Sequence, residues 1–194
     1  MTSQFFQLDR LENANLLTLI SPDGTNRLTR ASVLAQTAAI DELSQRPTPL
    51  IIAGNRNFFS VGADLNEIAA LTGPEAYEFS GMGQALMNAI ASYSAPVIAA
   101  IEGHCMGGGL DLALACHRRI AAPGAAFGHR GAALGLMTGW GGTQRLPRLL
   151  GKGRALELFV AAEKINAARA LEIGLVDAIA DDPVAEALRW LANG

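Results

Sequence analysis

Ala95-Pro96-Val97-Ile98-Ala99-Ala100-Ile101-Glu102-Gly103-His104-Cys105-Met106-Gly107-Gly108-Gly109-Leu110-Asp111-Leu112-Ala113-Leu114-Ala115-Cys116 reads as a strand, a glycine turn and a helix start in direct succession. The uninterrupted apolar run Val97 to Ile101 is the pattern of a strand buried on both faces. Gly107, Gly108 and Gly109 carry no Cβ, so their backbone N–H groups can approach a ligand closely. The helix that follows adds unsatisfied donors and a partial positive charge at its N-terminus. Such a place suits an oxygen that gains negative charge during a reaction. Three glycines alone are equally the mark of a tight packing turn between strand and helix, and both readings stand at this point.

Working outward, Phe5, Leu8 and Leu11 and then Asn15 to Ile20 read as strands, followed by Ser21-Pro22-Asp23-Gly24 turn chemistry. Val33, Leu34, Ala38, Ile40 and Leu43 mark a helix over 29–43, which Pro47 and Pro49 stop. Leu50 to Gly54 is a short buried strand, 55–64 a polar loop, and 74–92 a second helix with Pro74 in its first turn. Downstream, Arg119 to Ala122 forms a strand, 127–142 an irregular stretch, and a helix starts near Gln144 and Arg145. Strand–helix alternation implies an α/β protein, and 194 residues without a linker or repeat imply one domain, 1–194.

Half the residues are hydrophobic and 17% are charged, which supports a sizeable core and argues against disorder. A net charge of -3 argues against broad nucleic-acid binding but allows a local basic patch for a small phosphorylated ligand. Cys105 and Cys116 have neither CxxC spacing nor a disulfide framework, so a reducing compartment is expected. With no signal-peptide pattern at the start and no run of roughly 20 apolar residues, the expectation is a cytoplasmic protein off the membrane. No His/Cys/Asp/Glu spacing calls for a metal.

Five segments in chain order carry a resemblance. Asn57-Phe58-Phe59-Ser60-Val61-Gly62-Ala63-Asp64-Leu65-Asn66-Glu67 resembles the FSxGADLxE signature of the enoyl-CoA hydratase/isomerase (crotonase) family, and the opening stretch resembles its PVIAAxxGxxxGGG. Pro22 to Leu28 looks like that family's early CoA-side loop; Gly141 to Gly151 and Ala170 to Asp177 are similar to its later motifs. The resemblance spans 22–177 and implies the crotonase-like (ClpP/crotonase) ββα spiral. It also implies an acyl-CoA thioester as substrate, with coenzyme A part of that substrate and no separate cofactor, and a homo-oligomer (trimer or dimer of trimers). Carried over by position, the amides of Ala63 and Gly108 form an oxyanion hole for a thioester enolate. Asp64, Leu65 and Asn66 continue as substrate contacts, although an Asp before a helix is as readily its cap.

The family pattern also breaks. The first of the two family glutamates corresponds to Asp111, whose arm is one methylene shorter. A shift of about 1 Å can cost on the order of 100-fold where geometry controls the step. Asp111 stands in a first helical turn, where the dipole favours its ionised form, so capping and proton transfer are both open. The second glutamate falls at Gly131, in Phe127-Gly128-His129-Arg130-Gly131. His129 titrates in the useful range, but neighbours on an extended segment tend to point oppositely. An anion such as bicarbonate, precedented in naphthoate synthases with glycine there, is a second replacement, with Arg130 beside it. A catalytically poor acyl-CoA-binding subunit is a third outcome.

His104 reads as a loop residue, His117 as a cation at a helix C-terminus, and Met137 and Trp140 as pocket or core residues. Relatives generally continue several dozen residues beyond Gly194, so a C-terminal helical region that is short or absent is expected. A more open pocket, altered oligomer contacts and a truncated product are all compatible with that. A serine peptidase of the related Clp spiral fold needs a nucleophile by the glycine turn, where Cys105 has no recognisable triad. The leading expectation is a lyase or isomerase acting through an enolate.

Overall fold

The two runs with no polar residue, Leu50–Ala53 and Val97–Ile101, pair in parallel at the centre of the molecule and are buried throughout. The computed structural model describes residues 3–193; Met1, Thr2 and Gly194, the ends of the expected 1–194 domain, lie outside the described residues. In chain order the elements are β1 (Phe6–Arg10), β2 (Asn15–Leu19), α1 (Arg30–Ser44), β3 (Leu50–Ala53), β4 (Phe58–Ser60) and α2 (Leu65–Ala69). Next come α3 (Gly73–Ala91), β5 (Val97–Ile101), β6 (His104–Met106), α4 (Gly108–Ala115), β7 (Arg118–Ala121) and β8 (Ala126–Gly128). A 3-10 turn (Arg130–Leu134) leads to α5 (Gly142–Leu150), α6 (Lys152–Ala161), β9 (Ile165–Asn166), α7 (Ala167–Glu172), β10 (Ala178–Ile179) and α8 (Pro183–Asn193).

One sheet has six strands in the order β1-β2-β3-β5-β7-β10, parallel except for the β1–β2 hairpin. Side chains alternate across a strand, and both faces of this sheet are used. Leu50, Ile52, Val97, Ala99 and Ile101 face the main core, built with Val33 and Ile40 of α1, Leu86 and Met87 of α3, and Leu110 and Leu112 of α4. Ile51, Ala53, Ile98, Ala100 and Ile120 face the opposite way, against Ala187 and the Leu188, Trp190 and Leu191 side chains of α8. Residues one apart thus serve two different cores.

The second sheet has the order β4-β6-β8-β9, and its first three strands lay in or beside segments expected to be loop or irregular. Its strands are two or three residues long, too short for any periodicity to show. His104 therefore stands in β6 rather than in a loop. Helix starts follow the expected chemistry: the Thr29 side chain accepts from Ser32 N at 3.2 Å, and Asp64 and Asn166 cap α2 and α7.

Candidate active site

The short sheet ends where the chemistry is expected. β6 pairs with β8 through Met106 and Gly128, and Gly107 N donates to Gly128 O at 2.9 Å. Gly107, at φ +52° and ψ -120°, turns the chain from β6 into α4 through a conformation that side chains avoid. α4 starts at Gly108, whose amide has no carbonyl one turn back inside the helix. The loop after β4 packs directly on this start. A Cβ at Gly62 would lie 2.7 Å from Gly108 N, and a Cβ at Gly108 would lie 3.3 Å from Ala63 N. The parallel bridge from Leu28 to Ala63 uses Gly62 O as acceptor and leaves the Ala63 N–H without a partner among the described residues. The structure thus brings the Ala63 and Gly108 amides together at a helix N-terminus.

These amides open into a cleft of about 630 Å³, whose lining includes Leu65, Met106, Asp111, His129, Arg130 and Gly131. Among the described residues, four buried side-chain polar atoms lack a hydrogen-bond partner: Asn26 Oδ1, His104 Nδ1, Asp111 Oδ1 and His129 Nε2. Three of the four residues, all but Asn26, line this cleft. Buried polar groups are paired almost without exception, so three such residues in one cleft make it the candidate site. A second groove of about 580 Å³ between the β1–β2 turn and the end of α1 contains none of them.

Asp111 is 1% exposed, one turn into α4. Thr138 Oγ1 donates to its Oδ2, and its Oδ1 stands 3.4 Å from His129 Nε2. Its side chain is not a helix cap. The expectation that the helix dipole keeps it readily ionised is overturned: burial pushes its pKa up to about 7, against the Thr138 hydrogen bond, the Arg145 charge and the Gly142 amide. Desolvation outweighs the dipole because the carboxyl has almost no contact with water.

His129 is the larger correction. It was named as a possible acid–base position, with alternation along an extended segment weighing against it; it is 5% exposed and faces Asp111. The residue two before it, Phe127, is fully buried, and alternation puts His129 on the same inward side, with its ring on Phe159 at 5.2 Å. Burial pushes its pKa down to about 4, so the ring is neutral near pH 7. The chain then leaves the extended conformation, and Gly131 falls in the 3-10 turn. A Cβ there would lie 2.8 Å from Leu136 O, so the position vacated by a side chain is covered by backbone.

The remaining sites sort themselves by contact. Asp64 accepts from Asn66 N at 2.7 Å and pairs with Arg27 at 3.3 Å, so its carboxylate caps α2 and ties down the 22–28 loop. Leu65 lines the cleft, while Asn66 is exposed outside its lining. Trp140 is 3% exposed: its Nε1 donates to Phe79 O at 3.2 Å, and its ring stands over Gly108. Met137 is 60% exposed at the rim. His117 Nδ1 accepts from Val97 N at 2.9 Å, which ties the ring to the start of β5. Cys105 is fully buried and its thiol pKa is pushed well up, which removes it as a nucleophile. Thr138, Gly142 and the inward His104 were not singled out as site residues in the sequence. Gly142 lay inside a quoted motif; Thr138 carried no signal at all.

Among the described residues, no cluster of His, Cys, Asp and Glu is suited to a metal, and no helix is long and apolar enough to cross a membrane. Comparison with known proteins bears on the same site. A crotonyl-CoA hydratase of Syntrophomonas wolfei is 39% identical over 175 residues, covering 89% of this chain and 67% of that protein. A probable enoyl-CoA hydratase of Bacillus subtilis is 48% identical over 134 residues, covering 69% of this chain. The match spans only about half, 52%, of that relative's length. Among solved structures, Pseudomonas aeruginosa DspI superposes with a TM-score of 0.93 at 34% identity, covering 98% of this chain and 74% of that one. A Bacillus anthracis enoyl-CoA hydratase gives a TM-score of 0.92 at 32% identity, covering 98% and 76%. The α/β architecture is thus the crotonase-like spiral. The family model described as enoyl-CoA hydratase/isomerase matches residues 11–193, and the chain belongs to that family.

Proposed function

We propose that this protein acts on an enoyl-CoA or a related acyl-CoA through a thioester enolate. The Ala63 and Gly108 amides would hold the thioester oxygen, and Asp111 with His129 would move the protons. The supporting observation is the convergence of Asp111 Oδ1 and His129 Nε2, buried and unpartnered, beside those two amides. In the hydration direction the pair takes a proton from water, whose oxygen bonds to Cβ while the double-bond electrons pass to the thioester oxygen. The pair then returns the proton to Cα as the enolate collapses, so atoms and charge balance. Each oxyanion donor is worth ~2.7–4 kcal/mol of the barrier. A neutral imidazole and a carboxyl titrating near neutrality are matched to both halves of that exchange.

Asp64 is occupied as a helix cap, which leaves the backbone of 64–66 and the Leu65 side chain to meet the CoA arm. Coenzyme A is then part of the substrate, and this chemistry calls for no further cofactor. A homo-oligomer, trimer or dimer of trimers, is part of the same reading; Leu156 and Val160, 63% and 71% exposed on α6, are apolar surface consistent with it. Sedimentation tests that assembly.

The decisive assay follows loss of the conjugated thioester absorbance across a panel of enoyl-CoAs, alongside an isomerase assay. Turnover that falls in Asp111→Asn is the expected result; no turnover with any substrate sinks the reading. A second reading, acyl-CoA binding without efficient turnover, is favoured by the short arm of Asp111 and the absence of a side chain at Gly131. Tight thioester binding without turnover, with or without added bicarbonate, selects it. The Leu136 carbonyl over Gly131 counts against an anion filling that position.

A further inference from the structure

A carboxylate presents two equivalent oxygens, and rotation about its last bond exchanges them. At Asp111 the environment makes them different. Oδ2 accepts the Thr138 hydroxyl; among the described residues Oδ1 makes no hydrogen bond of good geometry, and it faces His129 Nε2 at 3.4 Å with the Gly142 amide beside the carboxyl. A Cβ at Gly142 would lie 2.2 Å from Oδ1, so the start of α5 closes the third side.

Thr138 sits on a rim segment whose neighbours Leu134 and Met137 are each 60% exposed, so packing of that rim does not hold it. What holds it is α3. Gly139 O accepts from Ser80 Oγ at 2.8 Å and from Gln84 Nε2 at 2.7 Å. Arg145 donates to Asn88 Oδ1 at 2.8 Å and to Trp140 O at 3.2 Å. Ser80, Gln84 and Asn88 fall at successive fourth positions and form one polar stripe on a helix whose other face builds the core. All three members of the stripe are spent on 139–145.

We propose that Thr138 is the positioning residue for Asp111, held in place by the Ser80–Gln84–Asn88 stripe, and that Oδ1 is therefore the oxygen that exchanges the proton. The last clause rests on the proton-transfer reading above; the positioning does not. The other groups facing Asp111 are His129 from the end of β8, Arg145 from α5 and Cys105 from β6.

The test is carbon-13 NMR titration of carboxyl-labelled aspartate, with Asp111→Asn assigning the signal. Wild type is expected to titrate near 7. Thr138→Val removes a donor that favours the ionised form, and the midpoint should rise by on the order of one unit. Thr138→Ser should restore it. In the enoyl-CoA assay, Thr138→Val should lose about 10–100-fold in kcat with KM nearly unchanged, and Ser should recover it. The Ser80→Ala/Gln84→Ala double variant, remote from the carboxyl, should move the midpoint in the same direction by less, and it carries the test if Thr138→Val does not fold. An unmoved midpoint in a folded Thr138→Val, or a serine variant no better than valine, overturns the proposal. The titration needs no turnover, so an inactive wild type would sink the function above while leaving this result readable.

Discussion

Asp111 and Gly131 both line the cleft. The first carries a one-methylene carboxylate arm, the second has no side chain, and His129 stands against the first. Asp111→Asn keeps the shape and the acceptor for Thr138 but not the proton. Its kcat is expected to fall by about 10²–10⁴ with little change in KM, measured by steady-state hydration. Gly131→Glu, which would add a second carboxylate to the cleft lining, is expected to fail. Its Cβ would press on Leu136 O at 2.8 Å, and Leu136 N already donates to Gly131 O at 2.8 Å. Lower thermal stability without a gain in kcat is the expected outcome; a gain would show that the turn opens and that position 131 reaches the reacting atoms.

α3 illustrates how an element serves the site through its packing. It carries two glycines, Gly81 and Gly83, with opposite surroundings. Gly81 has nothing within 4 Å of its Cβ position, whereas a Cβ at Gly83 would lie 2.1 Å from Trp140 Nε1. Helix propensity favours alanine at both by about 1 kcal/mol. Gly81→Ala should therefore stabilise by about that amount, while Gly83→Ala should destabilise by roughly 1–3 kcal/mol through overpacking. Only the second should also lower kcat, since Trp140 stands over Gly108. Urea unfolding and steady-state kinetics on the pair separate propensity from packing.

For the whole molecule, the buried pair makes stability depend on pH in two opposed ways. Asp111 holds its proton more tightly folded (about 7) than unfolded (3.8), so its contribution is present at low pH and lost as pH rises from about 4 to 7. His129 holds its proton less tightly folded (about 4 against 6.5), so its contribution grows as pH rises from about 4 to 6.5. Each is worth on the order of a few kcal/mol, and in the wild type they largely cancel. Asp111→Asn should therefore gain stability between pH 4 and 6.5, and His129→Gln should lose it as pH rises over the same range. Urea midpoints at several pH values check both slopes; parallel slopes in the two variants would show that the pair does not titrate as described.

Local patterns along the chain were enough for the long elements. The apolar runs of β3 and β5, the period of α1, the proline at the start of α3 and the cap at Asp64 act over a few residues, where periodicity and hydrogen-bond chemistry are visible directly. The quoted motifs likewise located Ala63, Gly108 and Asp111. The second sheet was hidden because two- and three-residue strands carry no period. Asp111's protonation, His129's inward turn and Thr138's contact depend on burial and on chain segments 18 to 27 residues apart meeting across the cleft. The glycine turn after Ile101 could be read as a place for a negative oxygen; the groups that surround Asp111 came into view only when β8, α5 and the rim held by α3 closed around it, because those contacts join segments far apart in the chain.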